Sequence, residues 1–177
     1  VDVEKMKPVI AEYLGALPAV NRKETFKDNK IEMRQGIYKN EFTKQQETPK
    51  ASVFAFYNGD CKYDLRNNLL LSMTSQILDL VYTEKVREDE GGTYGVYVGG
   101  TLQKYPKEKA ILQIIFDTAP EKKEKLMKII FGEIDNITKT GPSEANLNKV
   151  KEYMLKKHTE DLKENSYWLG SIDEYLY

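Results

Sequence analysis

Arg87 and Tyr94 are the residues of this sequence whose types and spacing best suit work on a carbonyl group. They flank the run Arg87-Glu-Asp-Glu-Gly-Gly-Thr-Tyr94. Arginine offers several N–H donors in a fixed planar fork, and tyrosine offers one hydroxyl donor. The run follows a long apolar helical pattern and precedes a strand-like one. Gly91, Gly92 and Thr93 would make the turn between them. Such a turn can bring guanidinium and phenol to one cleft, where they would hold a peptide carbonyl or the oxyanion formed when it is attacked. Taken alone, the residues also read as an arginine favoured at a helix C-terminus and a tyrosine suited to a strand. By residue type alone that simpler reading is preferred.

The rest of the chain narrows the chemistry. Hydrolytic zinc takes about three protein ligands, commonly including histidines at helical spacing. The chain has one histidine, His158, so no two-histidine or three-histidine site forms within it. His158 sits between lysines and acids and reads as part of a solvated helix face. Cys61 and His158 make the one conceivable thiol–imidazole pair. Cys61 follows a strand in Gly-Asp-Cys-Lys, without the helix N-terminal setting that activates a thiol, and reads as passive. Serines lack a Gly-x-Ser-x-Gly elbow. Gly91-Gly92 and Gly99-Gly100 fit no phosphate-binding pattern and read as a helix stop and a strand turn.

These residues need elements to hold them. Val3, Met6, Val9, Ile10, Tyr13 and Leu14 have helical spacing, with Asp2 as N-cap and Gly15 and Pro18 as stop. Residues 18–30 are polar and unperiodic. Residues 31–43 suggest an edge strand or hairpin. Ala51 to Tyr57 is apolar on both faces and reads as a central strand. Residues 65–86 form a long helix whose stripe is Leu69, Leu70, Met73, Ile77, Leu80, Val81 and Val86. Strands are expected over 94–100 and 110–116. Helices are expected over about 120–138 with Leu126, Ile129, Ile130, Ile134 and Ile137 inward, from Ser143 with Leu147, Val150, Met154, Leu155 and Leu162, and from about Ser166. Paired strands beside grouped helices predict an α+β two-layer sandwich, with helices on one face of a mainly antiparallel sheet.

With 177 residues, 40% hydrophobic and 31% charged, the chain reads as globular and soluble. Its 27 basic and 28 acidic residues leave a net charge of −1, no footprint for nucleic acid. No apolar run approaches the roughly 18–20 residues of a transmembrane helix. One cysteine allows no internal disulfide and leaves the compartment open. No signal peptide is visible, and both ends read as cut from a longer protein.

Arg-Glu-x-Glu-Gly-x-x-Tyr, after an apolar helix and before a strand, resembles the Arg–Tyr motif in the C-terminal half of insulinase/pitrilysin-family zinc peptidases. Tyr13-Leu-Gly-Ala-Leu-Pro18 is similar to the family's closing helix and linker from the preceding domain. Ala51 to Tyr57 resembles the strand before its first long helix. Thr118-Ala-Pro-Glu-Lys resembles the start of its next helix. Thr140-Gly-Pro-Ser-Glu-Ala-Asn-Leu and Asn165-Ser-Tyr-Trp168 match further landmarks in order. The resemblance covers essentially the whole chain.

It implies the family's mitochondrial-processing-peptidase/LuxS-like fold. It divides the chain into a closing helix (1–18), a linker (19–30) and an inactive peptidase-like domain (31–177). Family members hold zinc on an inverted His-x-x-Glu-His helix in their N-terminal half. The matching helix here, about residues 65–80, has neither His nor Glu. The resemblance therefore implies no cofactor in this chain, zinc in the N-terminal half of the parent, and that half plus a peptide substrate as partners. Arg87 and Tyr94 would assist beside that zinc. Relatives without peptidase activity make a purely structural or assembly module the alternative. A further reading is an unrelated peptide-binding domain that uses the edge near residues 31–43.

Overall fold

The computed structural model describes residues 2–21, 23, 25–90 and 95–176, with side chains left undescribed over 87–90. The chain divides into two compact units, residues 1–32 and 33–177. The first holds helix α1 (Val3–Tyr13), where the Asp2 carboxylate accepts from the Lys5 N–H as the N-cap. Pro8 lies inside this helix.

The second unit contains β1 (Ala51–Asp60), α2 (Leu65–Glu90), β2 (Val96–Gln103), β3 (Lys109–Thr118), a 3-10 turn (Pro120–Lys122), α3 (Lys123–Thr140), α4 (Glu144–Asp161) and α5 (Asn165–Leu176). The strands form one antiparallel sheet in the order β1-β3-β2. With one antiparallel sheet of three strands, α2 between the first two and the other helices after the third, the unit is α+β.

The core lies between the helices and one face of the sheet. Successive side chains on a strand point to opposite faces. Val98 of β2, with Ile114 and Phe116 of β3, point inward and are buried with Leu78, Tyr82 and Val86 of α2 and Leu126 and Ile130 of α3. Val53 and Ala55 of β1 pack against this cluster. Gly100 also faces inward: a Cβ there would stand 2.6 Å from Ser75 Oγ and 2.7 Å from Leu71 Cγ. The missing side chain lets α2 lie close on β2. The glycine pair thus sits inside a strand, which corrects the expected turn after Gly100. Ser143 caps α4, its hydroxyl accepting from the Asn146 N–H at 3.2 Å.

Three more expectations are corrected. Residues 31–43 form no strand among the described residues. β1 is an edge strand and β3 the centre, so apolar residues on both faces of β1 did not mean two covered faces. In α2 the buried residues are Ser75, Ile77, Leu78, Tyr82 and Val86, so Ile77 and Val86 of the expected stripe are buried while Leu69 and Leu70 remain nearly half exposed. Leu155, Trp168, Leu169 and Ile172 on the last two helices are also exposed.

Candidate functional site

The last turns of α2 position the segment that carries Arg87. Val86, directly before it, is 2% exposed and part of the core. One turn earlier, the Tyr82 hydroxyl donates to the Ile130 carbonyl of α3 at 2.9 Å. Burial holds this phenol well above its ordinary pKa, with the nearby Tyr57 hydroxyl and Glu133 adding to the shift. Lys85 pairs with Glu133 of α3, and Glu84 with Lys149 of α4 at 3.7 Å. Three side chains in one turn therefore tie the C-terminal part of α2 to two other helices.

Arg87 continues this helix, which runs to Glu90. The Arg87 side chain and residues Gly91, Gly92, Thr93 and Tyr94 lie outside the described residues. The chain resumes at Gly95, and β2 starts with Val96 opposite Phe116. At this end of the sheet Thr118 is 1% exposed. Its hydroxyl has no hydrogen-bond partner among the described residues.

The other residues singled out by type fall elsewhere. His158 is exposed on α4, its ring edge-on to Tyr167 at 5.7 Å. Trp168 beside it donates its indole N–H to the Leu162 carbonyl at 2.9 Å, turning the corner between α4 and α5. Cys61 is a half-buried free thiol just after β1. Among the described residues no group of three or more His, Cys, Asp or Glu side chains could hold a metal ion. A resident zinc site does not fit this donor set.

Tyr82 and the Lys85–Glu133 pair were not singled out from the sequence. The available signal was spacing: Leu78 and Tyr82 lie eight and four residues before Val86, which was on the chosen stripe, and so share its side of the helix.

The model of the peptidase M16 inactive domain matches residues 1–154 of the chain. The chain belongs to this family. Among solved structures, the M16 domain is similar to the periplasmic protease PqqL from Escherichia coli, with a TM-score of 0.64 and 19% identity. The alignment covers 74% of this chain and 15% of that one, so the domain spans a small part of the protease's length. At that identity the likeness concerns the fold. No curated protein matches the chain. No helix among the described residues is long and apolar enough to cross a membrane.

Proposed function

We propose that this M16 domain helps enclose a peptide substrate and positions it with Arg87 and Tyr94 beside zinc held by another domain of the same protein. Membership of the inactive-domain family over residues 1–154 carries the reading. The anchoring of α2 through Tyr82, Lys85 and Val86 supports it, because a donor useful to a reaction must sit on a rigid element. Residues 1–18 are read as the closing helix of the preceding domain, 19–30 as a linker and 31–177 as the inactive domain. Arg87 would bring fixed positive donors and Tyr94 one hydroxyl to a carbonyl that gains negative charge during attack. The zinc-bearing N-terminal half and the peptide are the proposed partners, and a soluble periplasmic parent is compatible with the protease neighbour.

The test is reconstitution with the zinc-bearing half. Arg87→Ala and Tyr94→Phe should each lower kcat, by up to about 10²–10³ if a donor to the oxyanion is lost. Unchanged turnover in both variants, with folding intact, removes the role. Absence of His-x-x-Glu-His upstream in the parent would turn the reading to an assembly module.

A further inference from the structure

Glu133 breaks the pattern of the helix that carries it. Leu126 and Ile130 of α3 are buried in the core, and Ile137 packs against it. Glu133 lies three residues after Ile130 and four before Ile137, so it shares their side of the helix. Its side chain is only 14% exposed. Taking a carboxylate out of water is costly, and an ion pair in the interior often does no more than offset that cost. An apolar side chain at this position would serve the core at least as well. A charge set where the pattern calls for an apolar residue is the kind of exception that function keeps.

The carboxylate meets α2. Lys85 pairs with it. Tyr82, three residues earlier, lies close enough to sense its charge while donating to the Ile130 carbonyl at 2.9 Å. Apolar packing is non-directional. The contacts of Leu78 and Val86 thus press α2 onto the core without fixing its rotation about its own axis. Hydrogen bonds between charged groups are directional and stronger than neutral ones. The Lys85–Glu133 pair therefore fixes that rotation, two residues before Arg87, on a helix that runs unbroken to Glu90. We propose that Glu133 is a positioning residue, which acts through Lys85 to set where the last turns of α2 hold Arg87. The role at Arg87 rests on the function proposed above; the clamp on the helix does not.

The test takes the chain reconstituted with its zinc-bearing half and replaces the pair by Lys85→Met with Glu133→Leu. The melting temperature should stay level or rise. Backbone amides of residues 86–90 should exchange faster, and kcat should fall about tenfold with KM little changed. Glu133→Asp keeps the charge one methylene short, and Lys85→Glu with Glu133→Lys exchanges the two charges. Each should recover part of the lost kcat. If the apolar variant fails to fold, Glu133→Gln gives the exchange and kcat readings. A lower melting temperature with unchanged kcat overturns the proposal and leaves the pair structural. Unchanged exchange over residues 86–90 also overturns it. Turnover that falls in Arg87→Ala but not in the pair variants removes the positioning and keeps the function. Turnover that ignores Arg87→Ala removes the function and with it the positioning; faster exchange in the pair variant then leaves the clamp alone standing.

Discussion

The two faces of the sheet use similar residues and meet opposite fates. Inward, Ile114 and Phe116 are buried beneath α2 and α3. Outward, on neighbouring positions of the same ladder, Phe54 and Tyr97 are exposed at 61% and 55%. Their strands are apolar on both sides, so composition does not separate the faces. The difference lies in what packs on them within this unit: its helices cover one side and, among its described residues, none covers the other. Burial energy scales with area removed from water. The inner residues therefore carry the stability of the unit, and the outer ones contribute little to it.

The largest test of this contrast is truncation on each face. Ile114→Ala should destabilise the domain by about 2–5 kcal/mol. Phe54→Ala should stay within about 0.5 kcal/mol. Urea denaturation of both would show it, and a large loss at Phe54 would mean that the outer face is packed after all.

The paired glycines sharpen the point at adjacent positions. Gly100→Val would drive a side chain into Ser75 and Leu71 and should cost about 1–3 kcal/mol. At Gly99 an added Cβ meets Tyr97 Oη at 2.6 Å and Gln113 Nε2 at 3.1 Å, the far ends of side chains that can swing away. Gly99→Ala should cost less than Gly100→Val in the same thermal melt.

Two buried hydroxyls make a finer comparison. Tyr82→Phe loses the bond to the Ile130 carbonyl and should cost about 0.5–1.5 kcal/mol. Thr118→Val removes a hydroxyl that no described residue pairs with, so it should be neutral or stabilising. Destabilisation by Thr118→Val would reveal a partner for that hydroxyl.

The smallest effect belongs to the outer rim. Lys50 at 2.7 Å, helped by the Ser52 hydroxyl at 2.6 Å, holds the Asp117 carboxyl below its ordinary pKa. A carboxylate with a depressed folded-state pKa adds stability above its unfolded pKa. That contribution is lost as pH falls through the folded value. Both side chains are nearly half exposed, so screening keeps the gain to at most about 1 kcal/mol. Asp117→Asn should slightly flatten the acid limb of a stability–pH curve by lowering stability at neutral pH, by no more than that amount, and leaving it unchanged at low pH.

Much of the fold was legible in local pattern. The helices over α2, α3 and α4, the Asp2 and Ser143 caps and the β-α-β-β-α-α order of residues 51–161 all followed from period and capping chemistry. The errors share one cause. Period tells which residues share a face, not which faces a neighbour will cover. Leu69 was put on the stripe of α2 and is nearly half exposed, and Tyr82 was passed over although it is fully buried. Residues 31–43 had strand-like composition, yet a strand exists only where a partner supplies its hydrogen bonds.

The candidate site divides in the same way. Residue type and order alone determined that Arg87 and Tyr94 were its candidates, and that one histidine cannot make a histidine-based zinc site. Both are counts of chemistry that the chain carries whatever its shape. Only the tertiary structure decided that Tyr82, Lys85 and Val86 clamp the helix leading to Arg87, that Gly100 lets α2 close on β2, and that β1 stands at the edge of its sheet. Each of these depends on groups far apart in sequence meeting across a packed layer, and such meetings are made by burial and register rather than by local spacing.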